Sequence, residues 1–204
     1  MNKKFICINT NLKLLKSYIM IAPEEERFAK NANILAQALH ESITKLYNSG
    51  HKTIDPTIVK MAAALISAFD KHYLIQGFIE NSHDKCWLYI KDKNEEFFLK
   101  NSSEIFKYLP MDRVNLFVDL FTTRDKNGIF IISDDLKDEI WGLLQAMVKI
   151  AIKYIHRMRS PKCIIQNTVQ NNTYDAQFFD EVDLEKHAKS WNINLEFPTS
   201  KLNI

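Results

Sequence analysis

The chain has 204 residues, and its hydrophobic share of 46% and charged share of 25% are those of an ordinary globular protein, which excludes a disordered or fibrous class. A net charge of +2 excludes a global field that attracts polyanions, so nucleic-acid binding would need a local basic patch. The three cysteines, Cys7, Cys86 and Cys163, have no paired spacing, which favours a reducing compartment.

Residues 1–22 are predicted to form an arm outside the folded body. Lys13 and Lys16 interrupt its apolar residues, so the segment lacks the continuous apolar run of a signal peptide. Met20 directly precedes a clean helix start. Two hypotheses therefore stay open: residues 1–19 are an upstream extension that the native protein lacks, or they are a flexible arm.

The first helix is predicted over about Pro23 to Ser49. Pro23 suits the first turn, and the three glutamates that follow it suit the positive end of the helix dipole. Apolar residues then recur at steps of three and four, and Gly50 is a stop signal. This segment is therefore expected to form one amphipathic side of a helical bundle.

Two nearly all-apolar stretches, Ile58 to Ile79 and Leu136 to Ile155, are the strongest pattern in the chain. A helix that is apolar all round must be enclosed, so both are predicted to be buried at the centre of the body. The pair Asp55-Pro56 is an N-cap and first turn for the first of them, which is expected to run to about Glu80. Charged residues interrupt both stretches, so no membrane span is predicted.

Four shorter helices are predicted between these stretches, and their expected bounds are Asp84–Lys91, Glu95–Lys100, Ser103–Leu109 and Asp112–Phe121. A polar turn over Thr122–Gly128 and one short strand, Ile129–Ile132, follow. Ser133 is the predicted cap of the longest helix, from Asp134 to about Arg159.

After Pro161 the composition becomes polar, which predicts a linker before a last helix over roughly Tyr174–Trp191 that docks on the body. The predicted fold is all-α, a compact bundle of about six to eight helices around two buried central helices. Its body is residues 23–160, and residues 161–204 are the linker and the docking helix.

The loop before the longest helix resembles a degenerate EF-hand. Calcium needs oxygen ligands at loop positions one, three, five and twelve, which here are Thr123, Asp125, Asn127 and Asp134, and Gly128 stands at the sixth position. The first position lacks an acid, and no second EF-hand is present in the sequence. A tight turn is the favoured interpretation, and calcium binding is the alternative.

A run of basic residues without an acid ends the longest helix. Its members are Lys149, Lys153, His156, Arg157, Arg159 and Lys162. Such a stripe could contact phosphates, with a salt-dependent affinity. Cations at a helix C-terminus are expected in any case, and acids between Asp175 and Glu185 could neutralise the stripe within the same molecule.

No pattern predicts catalytic residues or a cofactor. The four glycines form no phosphate-binding loop and no dinucleotide fingerprint, and no nucleophile is paired with a base. His83 and Cys86 are three residues apart and could share a zinc ion, but no second pair has a comparable spacing. A structural histidine and a buried cysteine are the favoured interpretation.

A set of aromatic, aliphatic and charged residues over positions 56–160 resembles a small uncharacterised family encoded by nucleocytoplasmic large DNA viruses. These residues are Lys71–Ile75, Phe78, Ile79, Trp87, Ile90, Lys93–Phe98, Asn101, Ile105, Phe106, Leu109, Pro110, Asp119–Phe121, Gly128, Ile140, Trp141 and Val148–His156. The resemblance implies a small helical viral protein that acts in the host cytoplasm or in the virion. It brings no catalytic residues.

The predicted function is that of a non-enzymatic interaction or scaffold protein. Its partner is expected to be a protein, either a different one or a second copy of the chain, and no membrane partner is expected. The alternative is a nucleic-acid-binding accessory factor that uses the basic residues from Lys149 to Lys162.

Overall fold

The computed structural model describes residues 23–50, 52, 55–83, 86–105, 111–125, 127–159 and 182–195. These residues form nine helices and no strand, which confirms the all-α prediction. The helices are α1 Pro23–Asn48, α2 Pro56–Ala68, α3 Lys71–Ser82, α4 Trp87–Lys91, α5 Glu95–Lys100, α6 Ser102–Ile105, α7 Met111–Thr122, α8 Asp134–Met158 and α9 Leu184–Ser190.

The body is built around α1 and α8, which have 26 and 25 residues and pack along each other. The Ser133 hydroxyl accepts a hydrogen bond from the Leu136 N–H and caps α8, whose first turn carries two aspartates. The side chains of Val148 and Ile152 are completely buried. The prediction of a buried central helix is therefore confirmed for α8.

The prediction of a second buried central helix over Ile58–Ile79 is wrong. The helix ends at Ala68, Phe69 is extended, and the Asp70 carboxylate accepts hydrogen bonds from the N–H groups of His72 and Tyr73, so that a new helix begins. An aspartate that caps the backbone in this way competes with a continuous helix. The split adds one helix, so the described residues form nine and not the predicted six to eight.

The two halves of this broken stretch differ in burial. Ile75 and Ile79 of α3 are completely buried, as predicted, in the same core cluster as the buried residues of α8. In contrast, Met61 exposes 63% of its surface and Phe69 exposes 57%. The helix α2 packs chiefly on α1, and Met61, Ala64 and Ala68 on this helix are exposed.

The segment between α7 and α8 is a turn and not the predicted strand Ile129–Ile132. Its one ladder-type contact within the described residues is an isolated antiparallel bridge between Arg124 and Phe130. The turn at Gly128 (φ +79°) and the Ser133 cap leave four residues between them, and of these only Phe130 forms a bridge within the described part of the chain. Ile132 nevertheless packs in the core between α1, α7 and α8.

The C-terminal residues 182–195 pack on the body. Val182, Leu184, Ala188 and Trp191 are buried in the same core as α8. The helix begins at Leu184 and is capped by Asp183, which accepts a hydrogen bond from the Lys186 N–H. The predicted arm 1–22, the predicted linker and the upstream part of the predicted last helix lie outside the described residues. Among the helices that the structure describes, none is long and apolar enough to cross a membrane.

Candidate functional site

An apolar groove lies on the surface between α1, α2 and α3. Its volume is about 460 Å³, and its lining is apolar except for the hydroxyl of Tyr73. Phe28 and Met147 form a buried floor, and the half-exposed rings of Phe69 and Tyr73 stand at its edge. The groove offers shape and apolar surface to a ligand, with very few polar groups to orient it.

The outer side of α2 continues this apolar surface. Val59, Ala63 and Ile66 face α1, and the Ser67 hydroxyl donates a hydrogen bond of 2.9 Å to the side-chain oxygen of Asn33, which fixes the rotation of the helix. The opposite side carries exposed residues that are mostly apolar. We call the exposed set Met61, Ala64, Ala68 and Phe69 the α2 face.

A cluster of charged and polar side chains joins α1, α3 and α8. The Arg157 guanidinium donates hydrogen bonds to the carboxylates of Glu25 (2.7 Å) and Glu24 (3.2 Å). His72 Nδ1 lies 2.5 Å from the Tyr154 hydroxyl and 3.9 Å from Glu25 Oε1. We call these five residues the charge cluster.

The environment of Glu25 holds its carboxyl group in the ionised form. Burial raises the pKa of Glu25, but His72 and the positive charge of Arg157 lower it by more, so that the pKa lies below its ordinary value of 4.5. Glu25 is 7% exposed, and its Oε2 has no hydrogen-bond partner among the described residues. The carboxylate therefore depends on contacts through Oε1, chiefly with Arg157.

The charge cluster contains the types of group that could relay a proton, but its contacts connect three helices to one another. Tyr154 is completely buried, and none of the five residues lines the apolar groove. A general acid or base must reach a substrate proton, which a fully buried hydroxyl does not do. We therefore assign the cluster to joining α1 and α3 to α8.

The structure divides the predicted basic stripe. Lys149 and Lys153 are exposed and have no ion-pair partner in the described part of the chain. Arg157 belongs to the charge cluster, and Arg159 donates a hydrogen bond of 2.6 Å to the Val182 carbonyl. His156 is half-buried, and Lys162 lies outside the described residues. Of the five described residues of the stripe, Lys149 and Lys153 are therefore the two that are exposed without an ion pair to another described residue.

The loop with calcium-like spacing has the geometry of the tight turn that the sequence favoured. Asp125 Oδ1 accepts hydrogen bonds from the N–H groups of Asn127 (2.8 Å) and Ile129 (2.9 Å), and the bond from Ile129 is the main cause of its lowered pKa. Asp134 is the first residue of α8, and Thr123 accepts from the Ile131 N–H through its carbonyl. The described residues contain no group of three or more His, Cys, Asp or Glu side chains that could hold a metal ion.

His83 and Cys86 have the surroundings of structural residues. His83 Nδ1 lies 3.0 Å from the Ile79 carbonyl, its ring meets the Trp87 ring edge-on, and Cys86 is buried in the main core. These contacts agree with the favoured interpretation of the pair.

Sequence reasoning missed both the α2 face and the charge cluster. The cluster joins residues that are 132 and 133 positions apart, so no local pattern could have shown it. The open side of α2 had one signal, since Asp70 stands where an N-cap would end one helix and begin another.

Comparisons of the chain with protein-family models, with curated proteins and with solved structures gave no match.

Proposed function

We propose that the protein acts by binding protein molecules, as a non-enzymatic helical scaffold, and that its binding surface is the α2 face with the adjoining groove. The observation that carries this proposal is the exposure of Met61 (63%), on a helix whose only charged residue is Lys60, and of Phe69 (57%), which directly follows that helix. Exposed apolar patches that are contiguous on a globular protein mark interaction sites.

The composition of this surface favours a protein partner over a polyanion. Methionine and aromatic side chains are enriched at the centres of protein interfaces, whereas phosphate recognition needs clustered arginines and lysines. Lys60 is the one cation on α2. The charge cluster supports a non-enzymatic role, because its groups are engaged with one another and hold helices together.

Because residues 56–160 resemble a family of viral proteins, the proposal also places the protein in a virus-infected cell. A scaffold of this size would act in the host cytoplasm or in the virion. Its binding surface would lie in the region that carries the resemblance, since the α2 face spans residues 61–69.

Site-specific photo-crosslinking in the native source tests the proposal. A photoreactive amino acid in place of Lys60, at the edge of the α2 face, is expected to form adducts with protein. The same amino acid in place of Lys149, which is exposed on α8, is the matched control and should form few adducts. Equal labelling at the two positions, or no protein adduct from position 60, would contradict the proposal.

A pair of matched methionine variants tests the same surface without a crosslinker. Met61→Glu and Met111→Glu place a carboxylate at positions of almost equal exposure, 63% and 60%. Only Met61→Glu should abolish the association, because only Met61 belongs to the α2 face. Equal loss in both variants would show that the exposed methionines act through solubility and not through a specific surface.

A further inference from the structure

The first turn of α3 connects the charge cluster with the edge of the apolar groove. His72 and Tyr73 are adjacent in this turn, and the Asp70 carboxylate accepts hydrogen bonds from both of their N–H groups (2.9 and 3.3 Å). The His72 side chain belongs to the charge cluster, whereas the half-exposed Tyr73 ring stands at the edge of the groove. A displacement of this turn would therefore change the cluster and the groove together.

The His72 side chain joins this turn to α8. Its Nδ1 atom lies 2.5 Å from the hydroxyl oxygen of Tyr154, which is completely buried, and the centres of the two rings are 5.6 Å apart. The His72 side chain itself is only 14% exposed. A hydrogen bond at a site with so little access to water is costly to break, because water does not readily replace it. The contact therefore fixes the first turn of α3 against α8.

The Tyr73 ring depends on the same turn for its direction. It meets the His72 ring edge-on, with 5.8 Å between the ring centres and an angle of 76° between the ring planes. Tyr73 exposes 58% of its surface, so it is packed less tightly than a core side chain. The backbone of the turn and the neighbouring His72 ring therefore have a large influence on where the Tyr73 ring lies.

The helix α3 also forms one wall of the groove. Leu74, Gly77 and Phe78 line this wall beyond Tyr73, and the other walls belong to α1 and α2. The Phe78 ring packs against Phe28 on the groove floor, with 5.2 Å between the ring centres. The position of α3 relative to α1 therefore sets the width of the groove.

From this arrangement we infer that His72 and Tyr154 are positioning residues of the groove. Their contact holds the first turn of α3, and with it the Tyr73 ring and the α3 wall that a bound protein would meet. Neither residue lines the groove, so both act through α3. A surface that is already held in its binding conformation loses less entropy on association and binds more tightly. The inference rests on the proposed function, because it concerns how the same surface is prepared for binding.

The variant Tyr154→Phe tests this role. It removes the hydroxyl group and keeps the ring, so it breaks the contact with His72 with little change in packing. It is made in protein that carries the photoreactive amino acid at position 60 and is used at low concentration, where the yield of protein adducts is proportional to affinity. The yield should fall roughly three- to tenfold, the factor that corresponds to one ordinary hydrogen bond. An unchanged yield would overturn the inference.

Ile90→Val is the matched control for a general loss of stability. Ile90 is 2% exposed, lies on α4 and does not line the groove. Removing one of its carbon atoms destabilises the fold by an amount similar to the loss of one hydrogen bond. The adduct yield should nevertheless stay at the wild-type value. An equal fall in both variants would mean that Tyr154 acts only through overall stability, which would overturn the positioning role.

A double variant tests whether the two residues act through one contact. His72→Ala alone should also lower the adduct yield. Adding Tyr154→Phe to His72→Ala should cause no further fall, because the contact is already absent. Losses that multiply in the double variant would show that the two side chains act independently, and the assignment of a shared role would be wrong.

Hydrogen exchange measures the turn itself without a binding partner. The amide protons of residues 71–74 should exchange faster in Tyr154→Phe than in wild type, because the turn opens locally more often. Those of residues 36–44, in the middle of α1, should exchange at the wild-type rate. Unchanged exchange over residues 71–74 would show that the contact does not hold this turn.

The two proposals fail in different ways. If wild-type protein forms no protein adducts from position 60, the proposed function is overturned, and this inference with it. Adducts that form in wild type and are not reduced by Tyr154→Phe would support the proposed function and overturn the positioning role. Adducts that are reduced by Tyr154→Phe and His72→Ala, but not by Ile90→Val, would support both.

Discussion

The helices α2 and α8 both come from stretches rich in apolar residues, but their environments in the folded protein are opposite. The helix α8 contacts α1, α4 and α9, and its outward positions carry charged residues such as Lys149 and Lys153. The helix α2 packs chiefly on α1, and its outward positions carry Met61, Ala64 and Ala68. Apolar content therefore indicates that a helix needs a partner, but it does not show whether that partner belongs to the same chain.

The difference between the exposed positions of α2 and α8 also indicates which helix could bind a specific partner. On α8, most apolar side chains are buried or packed against the core, and exposed positions such as Lys149 and Lys153 carry charge. On α2, apolar residues occupy positions that solvent reaches, which has a free-energy cost unless another surface covers them. The following predictions test this difference, beginning with the largest expected effect.

Truncating one apolar residue on each helix gives the most direct test. Ile152→Ala in α8 should lower the free energy of unfolding by about 4 kcal/mol, because Ile152 is completely buried and its loss leaves a cavity. Met61→Ala in α2 should change it by less than about 0.5 kcal/mol in dilute protein. Urea denaturation with an unchanged m-value measures both. Similar losses in the two variants would show that α2 is as enclosed as α8.

The charge cluster should contribute the second-largest effect. Arg157→Ala removes the cation that faces Glu24 and Glu25 and leaves the buried Glu25 carboxylate without it, so we expect a loss of about 3 kcal/mol. Lys153→Ala, one turn earlier and exposed, is the control and should cost less than about 0.5 kcal/mol. Equal and small losses would mean that the contact of Arg157 with α1 contributes little to stability.

The lowered pKa of Glu25 predicts a specific pH dependence. A carboxyl group whose folded pKa lies below its unfolded value of 4.5 stabilises the fold above pH 4.5, and this contribution is lost as the pH falls through the folded pKa. Glu25→Gln should therefore be less stable than wild type by about 1.5 kcal/mol near neutral pH. The difference should narrow below pH 4.5. A constant difference across this range in urea titrations would show that Glu25 does not titrate as the structure indicates.

Local signals in the sequence predicted the elements whose ends are fixed by local contacts. The helices α1, α5 and α8 lie within about two residues of their expected bounds, because capping residues and apolar periodicity agree there. The break at Phe69 and Asp70 was missed because apolar residues recur on both sides of it, although Asp70 and Lys71 are charged. The strand predicted at Ile129–Ile132 failed for a different reason. β-Branched residues form a strand where a partner strand is available, and the described residues supply only one isolated bridge there.

The candidate site was less predictable than the fold, since it depends on contacts between distant segments. Arg157 was grouped with Lys149 and Lys153 by spacing along one helix. Its ion pairs with Glu24 and Glu25 arise only when α1 and α8 pack together. The openness of the α2 face likewise depends on which helices pack beside it, which the periodicity of α2 alone does not specify.

The smallest expected effect concerns the two lysines that α8 does present to solvent. Lys149→Glu with Lys153→Glu should change the unfolding free energy by less than about 0.5 kcal/mol. Two phosphate contacts would change an affinity only about tenfold between 50 and 200 mM salt, which is far below the salt sensitivity of proteins that make six or more contacts. We therefore expect no stable gel-shift complex from wild-type protein at either salt concentration.

The control is Lys30→Glu with Lys45→Glu, the same charge reversal on exposed positions of α1. A salt-sensitive complex that only the Lys149 and Lys153 variant loses would mean that the exposed side of α8, and not that of α2, is the functional surface of this protein.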